Sequence, residues 1–375
     1  MGDRKGKQIP FWTYLPAYEL EKKEIDSAIK RVLLSGQLIL GQEVKKFEEE
    51  FASFCKASWG IGVGNGTDAL FIALKALGIG RGDEVITVPN TAIPTVSAIC
   101  ATGAIPVFVD VRPDTLLLDP EKIEEKITKR TKCILPVHLY GQCCDMDEVG
   151  RIAKKHNLFV VEDCAQATGA KWKGQVVGSM SDIAAFSFYP TKILGAYGDG
   201  GMIITSSKKR AHLCRMLRTY GVDRDYYSQF LGYNSRLDEL QAAILRTRLP
   251  KIGSYIKNRQ EVAKRYYDGL AKTPLILPYV SPNASHVYHL FVVRHKRRDE
   301  IISYMRKHNI TLAVHYPYPL HLMKGFAHLG YKRGDFPIAE EAADQIFSLP
   351  IYPELEKEDQ DRIISTLYSS ISVLL

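Results

Sequence analysis

The sequence predicts an α/β protein with a largely parallel sheet, followed by a smaller α+β region. From residue 60 onward, short β-rich runs alternate with helical patterns at the spacing of βαβ units. The alternation stops at a long helical stretch from Arg236 to Leu270, which Pro250 interrupts. A chain of 375 residues exceeds the usual size of one domain. We therefore expect a large domain over 1–250 and a small domain over 251–375, with segment 1–35 packing beside the small one.

Each predicted strand is an apolar run that is too short for a helix and rich in β-branched residues. The runs are Glu84–Pro89, Pro106–Val111, Cys133–His138, Leu158–Glu162 and Ile183–Phe188. Parallel sheets bind ligands beyond the carboxyl ends of their strands, where loops and helix N-termini converge. Chemistry is therefore expected directly after these runs.

Helices are predicted where apolar residues recur at helical spacing. Between the strands these segments are Asp68–Leu77, Pro120–Ile127 and Met146–His156. In the C-terminal region a strand at His289–Arg294 precedes helices at Asp299–His308, Ala339–Ile346 and Glu358–Ser370. This order predicts the α+β character of the small domain.

Composition excludes several classes of function. The net charge is +8, but basic and acidic residues are mixed along the chain, which indicates a solvated surface and no nucleic-acid partner. No apolar run approaches the roughly 18 residues of a membrane span, and Met1–Pro10 is polar. Seven cysteines, an odd number, favour reduced thiols. We expect a cytoplasmic protein without a membrane partner.

Lys192 follows the apolar run that ends at Phe188 and precedes a glycine-rich stretch ending at Gly201. Taken alone, a surface lysine in a glycine-rich turn is the commoner explanation. Asp163 directly follows another apolar run, and a carboxylate buried at a strand end requires a cationic partner. A protonated pyridine nitrogen is such a partner, and Gln166 could contact the same ring. A helix cap or a structural ion pair is the alternative for Asp163.

A phosphate site is predicted at the start of a helix. Gly66 and Thr67 precede an apolar helical pattern, so their N–H groups and the Thr67 hydroxyl could bind a phosphate. Ser187 offers a hydroxyl from another strand end. Simple N-capping is the alternative. A lysine, a strand-end carboxylate and a phosphate cradle are together the parts of a pyridoxal-phosphate site.

These motifs resemble the DegT/DnrJ/EryC/StrS-type nucleotide-sugar aminotransferases, which have fold type I, the aspartate-aminotransferase fold. The resemblance extends over almost the whole chain and implies a mostly parallel, seven-stranded sheet in the large domain. Its landmarks are the stretches Gly64–Leu70, Glu162–Gln166, Phe186–Gly201, Gly232–Ala243, Tyr316–His321 and Ser348–Pro350.

The resemblance implies roles for individual residues. Lys192 matches the lysine that forms the Schiff base with pyridoxal 5′-phosphate, and Asp163 matches the partner of the pyridine nitrogen. Gln166 matches the residue near the ring hydroxyl. The residues that match phosphate ligands are Gly66, Thr67, Ser187 and Asn234. The family's counterpart of Asn234 reaches the cofactor of the neighbouring subunit, which implies a homodimer with shared active sites.

The implied reaction moves an amino group from L-glutamate to a nucleotide-linked keto sugar, with pyridoxamine phosphate as the intermediate cofactor form. Related dehydratases carry histidine in place of Lys192, so the lysine favours transamination. The Lys192 segment and the loop at His321 resemble enzymes that act at C3 of dTDP-linked 3-keto-6-deoxyhexoses. Amination at C4 of a UDP- or dTDP-linked 4-keto sugar is the alternative.

Two positions depart from the family pattern. Ala92 occupies a position where many members have an aromatic ring over the cofactor, and Ile193 replaces a frequent asparagine. Neither change removes a catalytic group. Substrate contacts are expected from aromatic and imidazole side chains near the mouth of the site: Tyr189, His315, Tyr316, Tyr318 and His321.

The sequence offers three rival functions. A nicotinamide enzyme would need a G-x-G-x-x-G turn, whereas the glycines from Gly60 to Gly66 alternate. Zinc bound by His138, Cys143 and Cys144 is disfavoured because adjacent cysteines are poor tetrahedral ligands, so no metal is expected. A regulatory protein that binds the cofactor without turnover is the non-enzymatic alternative, because the same residues would bind the cofactor, but no DNA-binding segment supports it.

Overall fold

The computed structural model describes residues 7–374, so residues 1–6 and Leu375 of the two expected domains lie outside the described residues. The N-terminal half contains helices α1 to α5 at Leu15–Ser35, Gln42–Phe54, Gly66–Ala76, Ile93–Ala101 and Met146–His156. The remaining helices, α6 to α11, are Lys208–Leu217, Glu239–Arg248, Ile252–Leu270, Arg298–Lys307, Pro337–Gln345 and Lys357–Leu374.

The strands alternate with these helices. Strands β1 to β5 are Trp59–Val63, Glu84–Thr87, Ile105–Phe108, Thr131–Ile134 and Phe159–Asp163. Strands β6 to β9 are Lys171–Trp172, Gln175–Val176, Ile183–Ser187 and Gly201–Thr205. Strands β10 to β13 are Val222–Arg224, Tyr227–Ser228, Phe291–Arg294 and Ile346–Leu349.

One seven-stranded sheet in the order β1-β9-β8-β5-β4-β2-β3 organises the described part of the molecule. Its pairs from β8 to β3 are parallel, while β9 runs antiparallel to both of its neighbours. Helices cover both faces, so the strands are apolar on both sides. The predicted α/β fold with a mostly parallel sheet is therefore confirmed.

The predicted strands correspond to β2, β3, β4, β5 and β8, each within a few residues of its bounds. The runs that form β1 and β9 were not identified as strands, because their glycines weaken the β-rich pattern. The helix predicted at Pro120–Ile127 is wrong. That segment forms two short 3₁₀ turns, since it buries only Pro120 and Ile123 and offers no continuous apolar face.

The long helix α8 contributes its first turns to one hydrophobic core and its C-terminal half to another. The larger one fills the space around the seven-stranded sheet. The smaller one packs α8 against α9, α11 and the strand pair β12–β13. Ile9 belongs to the smaller core, whereas α1 packs its Ala28 and Val32 against Ala243 of α7. The contacts of the N-terminal segment are thus divided between the two regions.

The described residues contain no helix that is both long and apolar enough to cross a lipid bilayer.

A buried carboxylate connects α7 to the start of α2. The Oε1 and Oε2 atoms of Glu239 accept hydrogen bonds from the N–H groups of Gly41, Glu43 and Val44, at 2.8–2.9 Å. These N–H groups lie in the first turn of a helix, where the helix itself supplies no acceptor. Glu239 therefore caps α2 from a residue almost 200 positions later in the chain.

Replacing this cap should destabilise the protein. We expect Glu239→Ala to lower the free energy of unfolding by about 2–3 kcal/mol, because three N–H groups lose their acceptor in a buried site. Chemical denaturation monitored by circular dichroism measures the change. Glu261→Ala, at an exposed position of α8, should change it by less than about 0.5 kcal/mol. Equal stability of the two variants would contradict the role assigned to Glu239.

Candidate active site

The carboxyl ends of strands β1, β2, β4, β5 and β8 border one cavity of about 520 Å³, which we call the main cavity. This volume lies within the range of about 300–1,000 Å³ that small-molecule sites occupy. The expected site residues that border it are Gly66, Thr67, Asp163, Gln166, Ser187 and Lys192. The fold therefore brings together residues from three separate parts of the sequence.

Asp163 ends β5 with its side chain buried in the wall of the main cavity. Its Oδ2 accepts a hydrogen bond from Thr95 Oγ1 at 2.8 Å, and its Oδ1 accepts one from the Ala165 N–H at 3.1 Å. Burial raises the pKa of this carboxyl, while the two donors and the nearby Lys192 ammonium oppose the change. Each oxygen can still accept from a further donor, so the carboxylate is suited to a cationic ligand.

Lys192 lies in the same wall, on the loop that follows β8. Its backbone N–H donates to the Tyr189 carbonyl at 2.8 Å, which turns the loop back towards the sheet. Burial lowers the pKa of the Lys192 amine to about 8, although the charge of Asp163 opposes this change. A lysine with such a pKa can act as a nucleophile and as a base near neutral pH.

The loop that carries Lys192 is held from two sides. The Ala196 N–H donates to the Phe188 carbonyl at 2.8 Å. A Cβ atom on Gly195 would lie 2.4 Å from the Pro190 carbonyl oxygen, so only glycine allows this approach. From α7, the Gln241 side chain accepts from the Tyr197 N–H at 2.9 Å and donates to the Tyr197 carbonyl at 3.3 Å. These contacts fix the backbone on which Lys192 depends.

The start of α3 also borders the main cavity. Asn65 Oδ1 caps the helix by accepting from the Asp68 N–H at 2.9 Å, which leaves the N–H groups of Gly66 and Thr67 at the cavity wall. A Cβ atom on Gly66 would lie 2.7 Å from the Ser187 Cβ, so the absence of a side chain lets the helix start approach β8. N–H groups and hydroxyls at a helix start suit a phosphate.

Gln166 is oriented at both ends of its side chain. Its Oε1 accepts from the Tyr140 N–H at 2.8 Å, and its Nε2 donates to the Tyr316 hydroxyl at 3.1 Å. Burial raises the pKa of Tyr316 to about 12, while the bond from Gln166 opposes the change. The pair joins the region after β5 to the loop that contains Tyr316, with both side chains at the main cavity.

Asn234 does not border the main cavity of its own chain, and its side chain is exposed. The next residue, Ser235, accepts from the Gly64 N–H at 3.0 Å and donates from Oγ to Asp68 Oδ2 at 2.6 Å. Ser235 thus supports the helix start that carries Gly66. Sequence reasoning missed this role, since the contact joins residues more than 160 positions apart.

Four of the five expected substrate residues fall into three groups according to the cavities that they border. Tyr189 and Tyr316 border both the main cavity and a second cavity of about 310 Å³, which shares Lys192 in its wall. His315 borders the second cavity alone. Tyr318 borders neither cavity, and its side chain is 66% exposed.

The expectation for His321 needs correction. Its imidazole is only 2% exposed and lies 3.0 Å from Glu340 Oε1 through Nε2. Glu340 also accepts from the N–H groups of Gly334 and Phe336, so the pair fastens the 320–336 segment to α10. A buried histidine with a carboxylate partner explains the residue as a structural contact, away from the two cavities.

Ala92 borders the main cavity, as its sequence position suggests. Around it the wall is apolar, with Pro94, Val137, Leu320 and Met323 contributing side chains. Ile193, the second departure from the family pattern, is buried in the larger core and does not border this cavity.

His138 lies with Glu162 and Cys164 in a buried cluster whose geometry could hold a metal ion. Both oxygens of Glu162 already have partners: Oε2 contacts His138 Nε2 at 3.0 Å and the Gly178 N–H at 2.9 Å, and Oε1 accepts from Ser181 at 2.7 Å. The other ring nitrogen, Nδ1, accepts from the Cys144 N–H at 3.1 Å. The cluster is therefore satisfied as a hydrogen-bond network beneath Asp163.

The comparisons with known proteins agree over nearly the whole chain. Residues 19–368 match the model of the DegT/DnrJ/EryC1/StrS aminotransferase family. The chain is 50% identical over 369 residues to a protein of Micromonospora megalomicea subsp. nigra named dTDP-3-amino-3,4,6-trideoxy-alpha-D-glucose transaminase. That alignment covers 97% of this chain and 99% of the relative.

Solved structures give the same result. The crystal structure of S. venezuelae DesV in complex with a ketimine intermediate has a TM-score of 0.95 at 45% identity, covering 96% of this chain and 98% of that one. NtdA from Bacillus subtilis, solved with the bound cofactor PMP, has a TM-score of 0.89 at 33% identity, covering 98% and 87%. The chain therefore belongs to the DegT/DnrJ/EryC1/StrS aminotransferase family.

Proposed function

We propose that this aminotransferase moves an amino group from L-glutamate to C3 of a dTDP-linked 3-keto-6-deoxyhexose. Family membership supports the transfer to a nucleotide-linked keto sugar, and the donor and the carbon are the finer parts of the proposal. The relative at 50% identity is named for a 3-amino sugar, which favours C3 over C4. The observation that carries the proposal is the single cavity whose wall contains Lys192, Asp163 and the helix start at Gly66.

The cofactor of this family is pyridoxal 5′-phosphate, and the residues of the main cavity suit it. Asp163 is a buried carboxylate that lacks a full cationic partner, and Lys192 offers an amine of lowered pKa. The N–H groups of Gly66 and Thr67 and the Ser187 hydroxyl provide donors for a phosphate. A cation site, an amine and an anion site thus occur in one cavity.

When bound, the cofactor supplies an electron sink for negative charge that develops on the carbon bearing the nitrogen. In the proposal, Asp163 keeps the pyridine nitrogen protonated, because its carboxylate is the buried counter-charge at that end of the cavity. Gln166 would contact the ring hydroxyl, and Tyr140 and Tyr316 set the orientation of its side chain. Thr95 and the Ala165 N–H keep Asp163 in position.

Lys192 moves the proton in both directions of the proposed reaction. With a pKa of about 8, about one tenth of its amines are neutral at pH 7. The neutral Nζ takes the proton from the α-carbon of glutamate. In the acceptor direction the same Nζ delivers a proton to the sugar carbon that receives the nitrogen. General acid–base catalysis of this kind contributes roughly 10²- to 10⁴-fold in rate.

The proposal includes a homodimer with shared active sites. Leu33, Leu34 and Ile39 form an exposed apolar surface near the end of α1. Ile39 forms a β-bridge with Asp238, which lies a few residues after Asn234 in the chain. The exposed Leu231 lies a few residues before Asn234. An apolar surface of this kind on either side of Asn234 is typical of an interface between subunits. Asn234 would then reach the phosphate held by the partner.

The cysteines support a cytoplasmic location as part of the proposal. All seven are free thiols, and six of them are buried. Proteins with unpaired buried cysteines are typical of reducing compartments.

Lys192→Ala tests the proposed reaction directly. Turnover of L-glutamate with a dTDP-linked 3-keto-6-deoxyhexose, followed as 2-oxoglutarate formed, should fall at least about a thousandfold. The cofactor should still bind, because the groups proposed to hold its ring and phosphate remain. Lys208→Ala, at an exposed lysine on α6, should keep wild-type activity. A fully active Lys192→Ala enzyme would refute the assignment, and a wild-type enzyme that only binds the cofactor would favour the regulatory alternative.

The electrostatic pairing predicts a pH dependence. In cofactor-free protein, acylation of Lys192 should rise about tenfold per pH unit and level off near pH 8, the pKa to which burial lowers this amine. Asp163→Asn should move this midpoint to lower pH, because the carboxylate charge raises the Lys192 pKa. Peptide mass spectrometry measures the modified fraction, and exposed Lys208 is the internal reference. A midpoint that stays or rises in Asp163→Asn would contradict the pairing.

Leu34→Asp should weaken the proposed dimer. Leu34 is 77% exposed in the single chain, and a carboxylate there would be buried without a partner in the interface. Size-exclusion chromatography with light scattering should show about half the wild-type mass at micromolar concentration. Val373→Asp, at an exposed position of α11, is the control and should leave the mass unchanged. A wild-type protein that runs as a monomer would overturn the proposed dimer.

A further inference from the structure

The second cavity lies against Lys192 and is closed by parts of the chain that do not reach the main cavity. Its volume is about 310 Å³, and it shares Tyr189, Lys192 and Tyr316 with the main cavity. The N-terminal segment contributes Phe11 and Trp12, and the region before β12 contributes His289. A molecule that reacts near Lys192 could therefore extend into this space.

His289 is the polar group of the second cavity that the proposed function has not used. Its side chain is 6% exposed, and its Nδ1 is enclosed without a hydrogen-bond partner. Nε2 is neither enclosed in this way nor hydrogen-bonded to a described residue, so it is the ring nitrogen that reaches the cavity. A neutral ring with its proton on Nε2 can donate a hydrogen bond to an acceptor in the cavity.

The imidazoles at this cavity are neutral. Burial lowers the pKa of His289 well below its usual range, and the charges of Lys192 and Arg259 lower it further. Burial also lowers the pKa of His315 to about 4, again with a contribution from Lys192. Among the described residues that border this cavity, Lys192 therefore carries the charge. Its amine takes part in the reaction, so it does not serve as a fixed partner for a carboxylate. Neutral donors of this kind suit the hydroxyl or carbonyl oxygens of a sugar better than a carboxylate.

The remaining walls are aromatic. The Phe11 ring lies 5.2 Å from the His315 ring, and Tyr316 packs edge-on to His315 with the centroids 5.6 Å apart. Trp12 packs on the smaller core and presents the rest of its surface at the cavity. Apolar walls with a few fixed polar groups are typical of sites that orient a small ligand.

We propose that the second cavity receives the hexose of the acceptor and that the Nε2–H of His289 donates a hydrogen bond to one of its oxygens. His289 is then a residue that binds the acceptor sugar and not the amino donor. This inference rests on the proposed function, because it names the binding site of the same acceptor. The alternative ligand of this cavity is the carboxylate of the amino donor. Measuring each half-reaction separately distinguishes binding of the sugar from binding of the donor.

The test measures each half-reaction of the holoenzyme. His289→Leu removes the donor, so the half-reaction of the pyridoxamine form with the keto sugar should lose about tenfold or more in kcat/KM. The half-reaction of the pyridoxal form with L-glutamate should change by less than about threefold. The Kd of the amino-sugar product, measured by calorimetry, should rise about as much as kcat/KM falls.

Two amides distinguish a hydrogen bond from a packing effect. His289→Gln places an N–H near the position of Nε2 and should recover most of the lost kcat/KM for the sugar. His289→Asn places its amide near the enclosed Nδ1 and should resemble His289→Leu. Melting temperatures show which variants fold. If His289→Leu does not fold, the comparison of His289→Gln with His289→Asn still tests the hydrogen bond.

Three results would overturn the inference. Equal losses in both half-reactions would make His289 a structural residue, and a loss confined to glutamate would assign the cavity to the donor. No loss in either half-reaction would leave His289 without a role in binding. Failure of the proposed function gives a different result, because the wild-type enzyme itself would then not aminate the keto sugar.

Discussion

The structure depends on keeping two ionisable side chains, Asp163 and Lys192, in one cavity with limited access to water. Burial disfavours the charged form of each, and each charge partly offsets the cost for the other. The two charges offset each other only if the strand that carries Asp163 and the loop that carries Lys192 are held in place. Strand β5 fixes Asp163 from the centre of the sheet, while Gln241 and the close approach at Gly195 fix the loop of Lys192.

A single short stretch, from Ser235 to Gln241, holds several of these parts in place. Ser235 supports the start of α3, Glu239 caps α2, and Gln241 binds the loop after β8. Leu237 is buried between the glycines of β1 and of the loop before β9. This stretch was recognised as a family landmark, and its contacts explain why so many of its residues carry specific chemistry away from the reacting atoms.

Local sequence patterns predicted much of the fold and several of the residues that meet at the main cavity. Strands such as β5 and β8 are apolar runs, and a charged or hydroxyl group after such a run is visible in the sequence. Residues whose roles depend on distant contacts were missed or misassigned. His321 and Tyr316 lie in one proline-rich segment, and only the packing of α10 decides that the first is buried against Glu340. The contact of Thr95 with Asp163 and the position of His289 at the second cavity likewise require the tertiary structure.

The position of Lys192 in a wall shared by two cavities has a kinetic consequence. Under the proposed function, the amino donor and the sugar must each bring a carbon to the same Nζ, so they cannot occupy the site together. The enzyme then alternates between two forms, each of which accepts one substrate. Double-reciprocal plots at several fixed donor concentrations become parallel lines, and an excess of either substrate inhibits by occupying the form that awaits the other.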